Sequence, residues 1–125
     1  MYIDRIKIPN NILLAPMSGV TDPPFRAIVK EFTPGLVFSE MIASRALINR
    51  NEKTLKMTEK KNNSIYAIQI AGCDPEIMAD AARICEDLGA DIIDINMGCP
   101  VKKVVNGYAG SALMKNERLA LSIIE

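Results

Sequence analysis

The chain has 125 residues, the size of one ordinary domain, and 49% of them are hydrophobic, enough to bury a core. Fifteen basic and fifteen acidic residues cancel, which excludes the global positive field of many nucleic-acid binders and leaves any RNA contact to local basic patches. No apolar run approaches the roughly 18 residues of a membrane span, and the charged opening MYIDRIKIPN lacks a signal peptide's apolar block, so a cytoplasmic protein with no membrane partner is expected.

From the amino terminus, four short apolar runs, NILLAPM, GLVFSEM, IYAIQIAG and DIIDINMG, are each followed by a stretch with helical signals. Four βα units predict a parallel sheet. The first helix is expected in TDPPFRAIVKEF, with Asp22 as cap and Pro23 or Pro24 in the first turn, where N–H groups have no intrahelical partner; TPG then closes it. The next connection, IASRALINRNEKTLKMTEKKNNS, is less regular. Its Leu47, Leu55 and Met57 suggest a helix, and EKKNNS reads as a polar loop with solvated lysines.

The third helix, in CDPEIMADAARICEDLGA, has the clearest signals: Asp74 as cap, Pro75 at the first position, and Ile77, Ala81, Ile84, Cys85 and Leu88 at helical spacing, with Gly89 as the stop. Cys85 on that stripe reads as a small core hydrophobe, and Cys73 at a strand-to-helix junction as structural. The final segment, NERLALSIIE, reads as the opening of a helix with no cap or stop before Glu125.

Polar residues collect at the carboxyl ends of the strands, where βα barrels and open α/β sheets place their ligand sites. The first run ends in Pro16, Met17 and Ser18, the second in Ser39 and Glu40, and the third in Gln69. In DIIDINMG, alternation puts Asp94 and Asn96 on one face and Ile93, Ile95 and Met97 on the other. Parallel strands are usually apolar on both faces, and a buried polar group without a partner costs about 1–3 kcal/mol. Gln69 and Asp94 therefore either serve a site or tie neighbouring strands together.

Cys99 follows the fourth strand between Gly98, which permits a tight turn, and Pro100, which fixes φ. A free cysteine titrates at about 8.5, so an untuned thiol is mostly protonated at neutral pH and can act as an acid as well as a nucleophile. A nucleophilic cysteine usually has a basic histidine partner, and the chain contains no histidine. The three cysteines stand twelve and fourteen positions apart, matching neither a zinc-knuckle nor a CxxC spacing, and no metal is expected.

The segments APMSGVTDPPFR, SEM, QIAGCDPEIMADAAR, DIIDINMGCPVKKV and GYAGSALM, in order across nearly the whole chain, closely resemble the flavin-dependent tRNA-dihydrouridine synthases, bacterial members above all. This resemblance implies an α/β fold of the TIM-barrel type, (β/α)8, with FMN at the carboxyl face and NADPH as reductant, reducing the 5,6 double bond of uridines in tRNA. By position, Pro16, Met17 and Ser18 line the flavin and Gln69 hydrogen-bonds its ring. Cys99 is the proton donor, Asn96 lies near the uracil, and Lys102 with Lys103 contacts RNA phosphate.

A whole barrel takes about 250 residues, so residues 1–125 are expected to be its amino-terminal half, lacking the second half and the helical tRNA-binding domain. Such a half is expected to be inactive alone and to expose unpaired edge strands that invite self-association. Two other readings remain open at this point. One is a flavin-dependent dihydroorotate or dihydropyrimidine dehydrogenase; the other is a truncated, non-catalytic binding module.

Overall fold

A computed structural model describes residues 1–32, 35–60 and 64–125. Tyr2–Ile3 (β1) and Ile6–Lys7 (β2) pair as an antiparallel hairpin. Leu13–Leu14 (β3), Leu36–Ala43 (β4), Tyr66–Ala71 (β5) and Ile92–Ile95 (β6) then form one parallel sheet in the order β3-β4-β5-β6. Parallel neighbours that are also consecutive in sequence need a crossover between them. Helices Pro23–Phe32 (α1), Ser44–Ile48 (α2), Glu52–Met57 (α3) and Pro75–Asp87 (α4) fill those crossovers. After β6 come Lys102–Val105 (α5), a 3-10 helix over Gly110–Lys115, and Glu117–Ile124 (α6).

Strand alternation divides the core in two. On the helix side, Ile42, Tyr66, Ile68 and Ile70 pack with Leu47, Met78, Ala81 and Cys85. On the opposite side Leu36 and Ala67 gather with Ile8, Phe38 and Ile92. Ile8, just after the hairpin, is fully buried and closes the amino-terminal end of that face. Arg26 ties α1 to the segment before it and to the end of α3: Nη1 donates to Thr21 O (2.7 Å) and Met57 O (3.3 Å), and Nη2 to Glu59 O (2.8 Å). Its guanidinium lies 5.0 Å from the centre of the Tyr66 ring. Burial lowers its pKa from the ordinary value, an effect that Tyr66, Glu40 and Asp22 oppose.

The local signals act as read at both clear helix starts. Asp22 Oδ1 accepts from the Phe25 N–H at 2.9 Å, and α1 begins at Pro23. Asp74 Oδ1 accepts from the Ile77 N–H at 3.3 Å, Pro75 opens α4, and Gly89 adopts φ +84° just past its end. Other expectations need correction. Met78 joins Ala81 and Cys85 on the buried stripe, whereas Leu88, the capping residue at the carboxyl end of α4, is exposed. The one helix suggested between β4 and β5 is two, broken at Arg50 (φ +50°) and restarted by Asn51, whose side chain accepts from the Thr54 N–H. At the start of α6, Asn116 Oδ1 accepts from the Leu119 N–H at 3.1 Å. Thr33 and Pro34 of the expected TPG stop, and residues 61–63 of the expected polar loop, lie outside the described residues. Among the described residues, no helix is long and apolar enough to cross a membrane.

Candidate active site

The register of β5 against β6 sets Gln69 beside Asp94. Asn96 shares the face of Asp94 two residues on, and its N–H, donating to Ile70 O at 2.9 Å, extends the pairing past the end of β6. The polar side chains meet there. Gln69 Nε2 donates to Asp94 Oδ2 (2.6 Å), Asn96 Nδ2 donates to Gln69 Oε1 (2.9 Å), and Asn96 Oδ1 accepts from the Cys99 N–H (3.0 Å). Gln69 is only 6% exposed, so water competes little for these bonds. The strand-tying role considered for Gln69 and Asp94 is thus realised, and the same bonds reach the cysteine loop.

That loop is held from its other side as well. The Ser111 N–H donates to Cys99 O at 3.0 Å. Gly110, at φ +61°, sits so close that a Cβ there would lie 2.6 Å from Cys99 O and 3.2 Å from Cys99 Cβ. Glycine is required at 110 by both conformation and space. At 98 it is not: Gly98 has no positive φ, and an added Cβ would meet nothing within 4 Å, so the turn attributed to Gly98 does not depend on glycine. Lys102 and Lys103 are exposed in α5, directly after the loop.

Pro16, Met17 and Ser18 lie beyond β3, in a loop bound to itself and to β4. Thr21 Oγ1 accepts from the Met17 N–H (3.0 Å) and donates to Met17 O (3.1 Å), and the Gly19 N–H donates to Glu40 Oε1 at 2.5 Å. Ser39 and Glu40 are not at the end of their strand, as their place in GLVFSEM suggested. They are inside β4, at a register shift between Phe38 and Met41, and the extra residue lets neighbouring side chains serve different partners. Ser39 Oγ accepts from the Gln69 N–H (3.0 Å) and donates to Glu40 O (2.7 Å). Among the described residues, no hydrogen bond joins Pro16, Met17 or Ser18 directly to Gln69, Asn96 or Cys99; the link runs through Ser39 and Glu40.

A cavity of about 470 Å³ opens at the carboxyl ends of β4 and β5, floored by Met41, Ala43 and Ala71 and bounded by Cys73, Lys103 and Val104. Arg45 and Asp74, 3.4 Å apart, also line it. Met41 pairs with Gln69 in register, so the cavity adjoins the polar chain. Sequence reasoning marked Ser39, Glu40 and Asp94 as polar positions near the ligand end without giving them partners, and missed Gly110 altogether. Two adjacent polar residues inside a parallel strand were the available sign of the first pair, and the polar face of β6 was the sign of Asp94. Nothing local marked Gly110.

The dihydrouridine synthase (Dus) family profile matches residues 13–125. A probable tRNA-dihydrouridine synthase of Rickettsia bellii is 55% identical over 125 residues, 98% of this chain and 38% of its own length. The probable tRNA-dihydrouridine synthase of Rickettsia typhi is 52% identical with the same coverage. The tRNA-dihydrouridine synthase B of Pseudomonas syringae pv. tomato is 50% identical over 119 residues, 94% of this chain and 35% of its own length. The chain therefore spans a little over a third of the relatives it matches, and its site elements all fall within the family match. It belongs to the dihydrouridine synthase family.

Proposed function

We propose that the chain forms the amino-terminal half of the catalytic barrel of a flavin-dependent tRNA-dihydrouridine synthase, its strands β3 to β6 opening four βα units of a (β/α)8 fold. The second half of the barrel and a helical tRNA-binding domain complete the working enzyme. The observation that carries this reading is the run of side chains from Asp94 through Gln69 and Asn96 to the Cys99 amide, at the carboxyl edge of a parallel sheet in a dihydrouridine synthase family member. Relatives named for action on tRNA support the substrate, and a tRNA substrate accords with a cytoplasmic address.

The residues fit one edge of FMN, the group that the family resemblance implies. After its two side-chain bonds the Gln69 amide keeps one N–H and one lone pair, which suits the alternating donors and acceptors of an isoalloxazine edge. Gln69 holds the ring, and Pro16, Met17 and Ser18 line it. When bound and reduced by NADPH, FMN supplies the hydride that C6 of the uracil receives.

Hydride arrival at C6 leaves an enolate on the uracil, and C5 must then take a proton. The Cys99 S–H gives that proton, and the resulting thiolate is reprotonated from solvent. The unspent N–H of Asn96 stabilises negative charge developing on a uracil oxygen. The target base has to leave its stack to reach this edge, and Lys102 and Lys103 meet the neighbouring RNA phosphates.

In the full-length protein, NADPH-dependent reduction is expected for uridine in tRNA, with free uracil not reduced and dihydroorotate not oxidised; turnover of a free pyrimidine would overturn the assignment. Cys99→Ala is expected to retain flavin and its reduction by NADPH while uridine reduction falls by about 100-fold or more. Ordinary turnover by that variant removes the acid role. Residues 1–125 alone are expected to hold FMN weakly and to reduce no tRNA, because the phosphate site of such barrels commonly follows strands seven and eight.

A further inference from the structure

We infer that Asp94 is a positioning residue for Cys99, acting through the two amides between them; this rests on the reading of Cys99 as the acid. An ionised carboxylate can only accept hydrogen bonds, whereas a Gln or Asn side chain can present either its NH2 or its oxygen to a neighbour. Beside Asp94, Gln69 must present Nε2, and it does, at 2.6 Å. Its Oε1 then faces Asn96, which must present Nδ2, and does, at 2.9 Å. Asn96 Oδ1 is thereby turned to the Cys99 N–H, a group that can only donate, at 3.0 Å.

The chain thus has an accept-only end at Asp94 and a donate-only end at Cys99, and one arrangement of both amides satisfies every member. A reversed Gln69 sets its oxygen against the carboxylate, and a reversed Asn96 sets its NH2 against the Cys99 N–H. The charge on Asp94 strengthens its bond to Gln69 relative to a neutral pair. It also fixes which N–H and which lone pair of Gln69 remain for a ligand. With Cys99 O held by the Ser111 N–H, the cysteine backbone is clamped on both sides, and the Asn96 side of that clamp takes its orientation from a residue two bonds away.

The test uses the 15N-labelled full-length protein with neither FMN nor tRNA, comparing wild type, Asp94→Asn and Asp94→Ala. Amide exchange at Cys99, the side-chain NH2 signals of Gln69, and alkylation of Cys99 relative to Cys73 by iodoacetamide are measured, with the Ile68 amide as a core reference. Loss of the acceptor in Asp94→Ala is expected to speed Cys99 exchange by about tenfold relative to Ile68 and to shift the Gln69 NH2 signals. Asp94→Asn keeps an oxygen for Gln69 and is expected to lie between the two; it decides the matter alone if Asp94→Ala does not fold. Cys99 exchange and alkylation equal to wild type in the folded variants, or a rise matched at Ile68, would overturn the assignment. Because no turnover is read, this result is independent of Cys99→Ala kinetics, which test the reaction itself.

Discussion

Cys85 and Cys99 show how one residue type is given two environments. Cys85 is fully buried on α4, and burial pushes its thiol up to about 11. Tyr66 is driven from 10.0 to about 12, mainly by burial, with the nearby Arg26 charge opposing. Both groups become anions on losing a proton, and the folded chain holds that proton more tightly than the unfolded one. Their contribution to stability is complete below about pH 9 and is lost as pH rises through 11 to 12. At 1.36 kcal/mol per pKa unit, Cys85 alone accounts for roughly 2–3 kcal/mol of this loss. Urea midpoints are expected to fall between pH 8 and pH 11, and Cys85→Ala to flatten that decline whatever it does to the midpoint at pH 8. Cys99 sits partly exposed in a loop whose backbone is bonded at both its N–H and its C=O, an arrangement that fixes a thiol without burying it.

Among the elements, α4 was legible because its instructions are local: a capping aspartate, a proline after it, apolar residues at helical spacing and a glycine at φ +84°. Asp74→Ala is expected to cost about 0.5–2 kcal/mol by urea denaturation. The break between α2 and α3 was also written locally, in Asn51 followed by Glu52, but the apolar spacing of Leu47 and Leu55 masked it. Neither α5, with four residues, nor the 3-10 helix after it is long enough to show a period. The 3-10 helix is held by contact with the Cys99 loop, and Val104 of α5 packs against its Gly110. Gly110→Ala meets both a left-handed backbone and the Cys99 carbonyl, and a loss of about 1–3 kcal/mol is expected, with faster amide exchange at Cys99 and Ser111.

At the scale of the whole molecule, the order β3-β4-β5-β6 leaves β3 and β6 as the edges of the sheet. Leu13 on the first edge is 43% exposed, and all four residues of β6 are only half-buried. Unpaired backbone along an apolar edge is a template for another strand. Sedimentation of the 125-residue chain is expected to depend on concentration, and Leu13→Lys to reduce that dependence. A single monomeric species at about 100 μM, in wild type and variant alike, would show that these edges do not pair.

By itself the sequence determined the alternation of parallel strands with helices, the faces of the strands, the concentration of polar groups toward one end of the sheet, and a thiol at its last turn. These follow from neighbours along the chain, through spacing, caps and alternation. Only the tertiary structure decided that Glu40 reaches the Gly19 amide, that Ser39 supports Gln69, and that Asp94, Gln69, Asn96 and Cys99 form one hydrogen-bonded series. Most of those partners are more than twenty residues apart. They meet because strand order, parallel register and a one-residue shift within β4 set them side by side, and none of these is encoded in a local window.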